Sequence, residues 1–274
     1  MTTVSPTATP KSTAVAGVIP PLPAPAQNLH RAAPKTNISP EPDYLDAPST
    51  VPERGIVFLV HGWPDISFAW RYQIPLLASL GLRCIALDCI GYGLTGSSDD
   101  LAHFTYKTHA DGIAGIAKAL GYSRIVLGGH DWGGMVVWRT AQWYPELVTH
   151  VFSVATPFMP CSERYVSTED LVKGPLPQFG YQLQLGDRKQ EVGERVVGDR
   201  RMRRFLNGLY GGRSAQGKPV MTPEEGVDLD LICSEEEMVT KSPLLNDEVS
   251  PHSPPPPGPS AGQSRVSSAL KVLS

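Results

Sequence analysis

The run GIVFLVHG, residues 55–62, is apolar from end to end. A strand with one wet face alternates polar and apolar side chains, whereas an unbroken apolar run needs cover on both faces. RCIALD at 83–88 and RIVLGG at 124–129 make the same demand, and HVFSVAT at 150–156 supplies a fourth expected strand. Helical patterns lie between them. ISFAWRYQIPLLASLG must be kinked or divided at Pro75, TYKTHADGIAGIAKALG stops at Gly121, and GMVVWRTAQWYPE follows the third strand. Strand and helix alternating at this spacing predict a mostly parallel α/β sheet with helices on both faces.

Composition divides the 274 residues into four parts. Residues 1–53 are rich in Pro, Ala, Ser and Thr and read as a disordered extension. Residues 54–160 carry the strand–helix alternation. Residues 161–248 are more polar and helical. From Val249 the chain runs VSPHSPPPPGPSAGQSRVSSALKVLS and reads as a Pro-rich disordered tail. The first 40 residues hold Lys11, Arg31 and Lys35 and no acid, a loosely transit-like balance, but VIPPLPAPAQ is too proline-rich for an amphipathic presequence. A cytoplasmic protein is the expectation.

A net charge of −3 gives no ground for nucleic-acid or anionic-membrane partners. No apolar run approaches the ~20 residues a membrane span requires. Cys84, Cys89, Cys161 and Cys233 are irregularly spaced, make no zinc pattern and read as reduced thiols. No ligand cluster calls for a metal, and no organic cofactor is implied. The basic stretch at 187–213 sets Met202, Phe205, Leu206 and Leu209 at roughly helical spacing, so it reads as a solvated helix face rather than a nucleic-acid surface.

The chemistry concentrates in GGHDWGG, 128–134. Gly129-His130-Asp131-Trp132-Gly133 has the spacing of a nucleophile elbow, with aspartate where serine is usual. The simpler alternative is an aspartate capping the helix that follows. The paired glycines and the strand–turn–helix setting favour the elbow. Serine needs a base before it can attack; a carboxylate is ionised near neutral pH and can displace a leaving group from an alkyl carbon directly. The resulting ester must be hydrolysed at the carboxyl carbon, which needs an activated water and an oxyanion hole. HGWPD, 61–65, is placed to supply half of that hole through the Trp63 N–H, with Pro64 holding the turn. The N–H of Trp132, just past the nucleophile, is the expected second donor. His61 is expected to hydrogen-bond locally in this turn, as one of the oxyanion-hole and substrate-binding group Trp63, Trp132, His61 and Pro64. His130 points away from the nucleophile by strand alternation, and Asp88 reads as a turn former.

HGWPD, then DCIGYGLTGSSD, then GGHDWGG, in this order and spacing, resembles the α/β-hydrolase fold epoxide hydrolases over residues 54–245. The resemblance implies an α/β-hydrolase fold with a helical cap over residues 161–248, a small-molecule epoxide as substrate, and an alkyl-enzyme ester hydrolysed to a vicinal diol. It also implies a cap tyrosine that protonates the leaving oxygen. In FGYQLQL, Tyr181 stands fifty positions after Asp131 in the family's context. Aspartate at the elbow excludes serine esterases and leaves haloalkane or haloacid dehalogenases as the alternative enzyme reading. A non-catalytic remnant that keeps the pocket is the alternative outside enzymes. The family's second cap tyrosine, later acid and C-terminal histidine find no counterpart. His252 lies in SPHSPPPPGP, where nothing would hold it at a water. The antiparallel strand pair that opens this fold has at best a remnant in TNISPEPDYLDAPSTVPERG. The expectation is a fold incomplete at both ends, poorly soluble, and deficient in ester hydrolysis.

Overall fold

The computed structural model describes residues 29–32, 42–186, 191–234 and 242. The order begins β1 (His30–Ala32), β2 (Asp43–Ala47), β3 (Gly55–Val60), α1 (Ile74–Ser79), β4 (Leu82–Asp88), α2 (Tyr106–Ala119), β5 (Ile125–His130), α3 (Trp132–Trp143) and β6 (Val148–Val154). It continues with α4 (Thr168–Lys173), α5 (Gly180–Leu185), α6 (Glu191–Arg195), α7 (Gly198–Leu209), β7 (Met221–Thr222), β8 (Gly226–Val227) and α8 (Leu229–Cys233).

The first six strands form one sheet in the order β1-β2-β4-β3-β5-β6. Pairing is antiparallel for β1–β2 and β2–β4 and parallel from β4 through β3 and β5 to β6. The apolar run at 55–60 occupies the centre, where both of its faces are covered. Ile56, Phe58 and Val60 join Ile85, Leu87, Leu127 and helices α2 and α3 on one side. Val57 and Leu59 join Leu45, Cys84, Trp70 and Ile74 on the other. The continuous hydrophobic pattern thus follows from burial on two sides. A third cluster, including Leu185, Phe205, Val220, Leu229 and Ile232, gives the segment from α5 to α8 its own core.

Helix punctuation follows local chemistry. Thr105 caps α2 through its side chain, and Gly121 takes φ +81 just past the end of that helix. The segment around Pro75 divides as its ring demands: a 3-10 turn spans Ser67–Tyr72, and α1 then opens with the proline in its first turn.

The N-terminal expectation needs correcting. Residues 1–53 are not wholly an extension outside the fold, because β1 and β2 pair antiparallel and extend the sheet beyond β4. DYLDA hides its pattern because its acids are neutralised locally. Asp43 pairs with Arg31, and Asp46 accepts two bonds from Arg83 at 2.9 and 2.5 Å. The fourth strand also starts two residues earlier than expected, at Val148. Val249 onward, including His252, lies outside the described residues.

Candidate active site

In a parallel sheet, ligands gather beyond the carboxyl ends of the strands, where neighbouring connections leave in opposite directions. Here that point lies between β3 and β5: the chain leaves β3 toward β4 on one side, and β5 returns on the other. The turn after β3 holds His61 to Asp65, and the turn after β5 holds Asp131.

Asp131 has φ 51 and ψ −124, a left-handed conformation for a non-glycine residue. Such strain persists only where surrounding bonds fix it. The Asp131 N–H donates to the Val154 carbonyl at 3.2 Å. Its own carbonyl accepts from the Gly134 N–H at 2.8 Å and the Thr156 hydroxyl at 2.7 Å. A Cβ on Gly129 would strike the backbone of Gly133, and one on Gly133 would strike the carbonyls of Val60 and His61. The two glycines therefore let helix α3 start directly against two strand ends. The helix-capping alternative fails on geometry, since the Asp131 side chain makes no cap hydrogen bond to α3.

The carboxylate points across to the other turn instead. The Trp63 N–H donates to Asp131 Oδ1 at 2.9 Å. Gly62 permits this approach, because a Cβ there would overlap the carboxylate. The Trp63–Pro64 peptide is cis. Trp132, the first residue of α3, has an N–H with no partner among the described residues. The carboxyl group thus has one backbone donor in Trp63, and the unpartnered Trp132 N–H belongs to the next residue in the chain.

Tyr181, on α5, packs against Trp63. Its ring stacks on Trp63 with centroids 5.9 Å apart and planes 20° apart, and Phe179 meets it edge-on. Trp63 in turn takes the edge of Phe205 from α7. The Tyr181 hydroxyl accepts a long bond of 3.4 Å from Gln182 Nε2. Burial raises its pKa and the Asp131 charge adds to the rise, so the phenol keeps its proton. The Asp65 carboxylate accepts from the Tyr210 hydroxyl at the end of α7, a second tie between this segment and the core turn.

The structure thus brings Asp131, Trp63, Pro64, Trp132 and Tyr181 together. His61 sits behind them, 2% exposed. Its Nε2 accepts from the Cys89 N–H at 3.0 Å, and its Nδ1 lies 2.9 Å from the Gly62 carbonyl. Two more phenols, which the sequence does not single out, adjoin these residues. Tyr106 stacks on Trp132 at 6.4 Å, and Tyr92 meets the His61 ring edge-on at 5.0 Å. Burial and the Asp131 charge raise both, Tyr106 to about 12. Neither carries a sequence signal, because one sits in a glycine turn and the other starts a helix. Asp88 does more than shape a turn: it accepts from the Ser67 N–H at 2.8 Å, from the Leu94 N–H at 3.3 Å, and from Arg31 at 3.0 Å. Among the described residues no imidazole is hydrogen-bonded to Asp131, and no group of three or more His, Cys, Asp or Glu is placed to hold a metal.

Residues 55–205 match the family model described as alpha/beta hydrolase fold. Over 199 residues the chain is 39% identical to epoxide hydrolase srdG of Neurospora crassa, covering 70% of this chain and 56% of that protein. Over 127 residues it is 42% identical to bifunctional epoxide hydrolase 2 of Sus scrofa, covering 46% of this chain and 22% of that one. The chain therefore spans about half or less of the length of these relatives. Among solved structures, epoxide hydrolase A from Mycobacterium thermoresistibile superposes with a TM-score of 0.60 at 19% identity, over 89% of this chain and 71% of that one. An epoxide hydrolase from Vigna radiata gives 0.56 at 22% identity, over 66% and 54%. At these identities the structural likeness speaks to the fold alone.

Proposed function

This chain belongs to the alpha/beta hydrolase fold family, beside curated epoxide hydrolases, and from that premise we propose epoxide hydrolase-type chemistry at Asp131. The observation that carries it is the Asp131 carboxylate, held at a left-handed elbow by the Trp63 N–H at 2.9 Å, with the Tyr181 ring stacked on that same Trp63.

With Oδ1 engaged by Trp63, Oδ2 is the oxygen that attacks. Its lone pair forms a bond to an epoxide carbon, the ring C–O bond breaks, and the leaving oxygen takes the Tyr181 proton. Tyr181 regains a proton from solvent. The product is an ester whose carbonyl oxygen is the former Oδ1. When water adds to the carboxyl carbon, negative charge grows on that same oxygen, where the Trp63 N–H already waits and the Trp132 N–H is unspent. Water addition needs a base to take its proton. No described imidazole contacts Asp131, so the proposal extends to slow or absent second-step hydrolysis and an ester that accumulates.

The test is incubation of the purified chain with styrene oxide, followed by peptide mass spectrometry. A single adduct on Asp131 is expected, without sustained diol release. No adduct and no diol would refute the nucleophile, and continuous diol formation would refute the stalled second step. Halide release from a haloalkane, with styrene oxide inert, would move the assignment to a dehalogenase.

A further inference from the structure

His61 makes no contact with the attacking carboxylate, yet it is bonded to the peptide that does. Its two ring nitrogens face backbone groups of opposite character. Nε2 lies 3.0 Å from the Cys89 N–H, which can only donate. Nδ1 lies 2.9 Å from the Gly62 carbonyl, which can only accept. This pairing admits one state of the ring: proton on Nδ1, lone pair on Nε2, no net charge. Cys89 is the first residue past β4, so the ring bridges two neighbouring strand ends.

The Gly62 carbonyl belongs to the same peptide unit as the Trp63 N–H. That unit is trans, the cis bond being the next one along. A trans peptide is planar, with its carbonyl and N–H directed oppositely, so fixing one end aims the other. The Asp65 N–H also donates to the Gly62 carbonyl, at 2.9 Å, and the two donors together hold it. The far end of the unit meets Asp131 Oδ1.

We propose that His61 is a positioning residue: in its neutral Nδ1–H form it turns the Gly62–Trp63 peptide so that the Trp63 N–H is aimed at the reacting carboxyl group. The catalytic part rests on the reading of Asp131 as nucleophile; the structural part does not. Around the ring stand Asp65 from its own turn, Asp88 and Cys89 from the end of β4, Tyr92 from the following loop, His109 from α2 and Asp131 from the turn after β5. No partner in contact with either ring nitrogen is an acid, so no carboxylate stabilises an imidazolium at hydrogen-bond range.

The experiment uses the full chain with two substitutions. His61→Phe keeps a ring against Tyr92 and removes both bonds, whereas His61→Gln restores an acceptor and a donor side by side. Three quantities are read: the ¹⁵N shifts of the His61 ring, the amide proton shift of Trp63, and the single-turnover rate of Asp131 alkylation by styrene oxide. We expect a neutral Nδ1–H ring in the unmodified chain. We expect a Trp63 amide that loses its hydrogen-bonded shift in the Phe variant and regains it in the Gln variant. The alkylation rate should fall about 10²-fold in the Phe variant and recover with Gln, with the half-saturating epoxide concentration little changed. An Nε2–H or charged ring at neutral pH, or a Trp63 amide unmoved in the Phe variant, would overturn the inference. If the Phe variant does not fold, the ring tautomer and the Gln variant decide alone. If the unmodified chain forms no adduct, the epoxide reading fails while the two NMR readouts still judge His61.

Discussion

The Trp63 N–H and the Asp131 carboxylate, 68 residues apart in sequence, meet at 2.9 Å. One carboxylate oxygen is therefore engaged by the fold itself, and that bond limits how the carboxyl group can turn. The proposed nucleophile and the proposed oxyanion donor are thus one hydrogen-bonded unit, assembled where the ends of β3 and β5 adjoin.

Replacing Asp131 by Asn keeps the shape and an acceptor for Trp63 but removes the anionic oxygen. Alkylation by styrene oxide is expected to fall by at least about 10³-fold, as for other removed nucleophiles. Mass spectrometry of the reacted variant checks this, and a persisting adduct would locate the reactive group elsewhere.

Tyr181→Phe removes only the proton donor, since the stack on Trp63 is made by the ring. Epoxide opening should slow by about 10²–10⁴-fold, the usual worth of a positioned acid. An alkyl halide probe leaves without a proton and should react with the variant at the unmodified rate. Equal losses with both probes would mean that the substitution has disturbed the pocket rather than the proton transfer.

What could be read in the sequence was whatever depended on neighbours along the chain. The runs GIVFLVHG at 55–62 and RCIALD at 83–88 declared strands, found at Gly55–Val60 and Leu82–Asp88, because two-sided burial leaves a continuous pattern. The elbow announced itself because tight packing demands glycine at 129 and 133. DYLDA stayed hidden because Asp43 and Asp46 are neutralised by Arg31 and Arg83, partners distant in sequence. Tyr92, Tyr106 and the bridge from His61 to Cys89 escaped for the same reason: each acquires its meaning from a residue on another strand or helix.

Gly133→Ala should destabilise the fold by roughly 1–3 kcal/mol, because the new methyl meets strand-end carbonyls rather than a side chain that can move. Gly112→Ala is the contrast. That glycine lies inside α2 with nothing within 4 Å of an added Cβ, so the change should stabilise by about 0.5–1 kcal/mol. Denaturant midpoints of the two variants should therefore move in opposite directions.

Strand β6 closes the described sheet and reads VTHVFSV, with no lysine, acid or proline along it. Phe152 and Val154 are 39% and 51% exposed on this edge. Unguarded edges template association between chains. Val154→Lys places a charge on an already exposed side chain and leaves the Val154 carbonyl free to keep its bond to the Asp131 N–H. Light scattering should show slower self-association with the melting temperature little changed; identical association would clear β6 of the role.

The buried imidazole of His61 sets a direction for stability against pH. Burial lowers its pKa below the usual 6.5, an effect larger than the opposing pull of the Gly62 carbonyl and of the Asp88, Asp65 and Asp131 charges. Above pH 6.5 the ring is neutral in both folded and unfolded chains and contributes no pH dependence. As pH falls below 6.5 the unfolded chain takes up a proton that the folded chain resists. The unfolded state then binds more protons, and stability drops with decreasing pH until the folded pKa is reached. His109, also held down by burial, adds a drop of the same sign. His61→Gln cannot titrate, so the variant should lose stability less steeply than the unmodified chain between pH 6.5 and 5, with the His109 contribution common to both. Denaturant titrations across that interval check the difference in slope. Parallel curves would mean that His61 protonates equally well in both states, which the Cys89 N–H facing its Nε2 forbids.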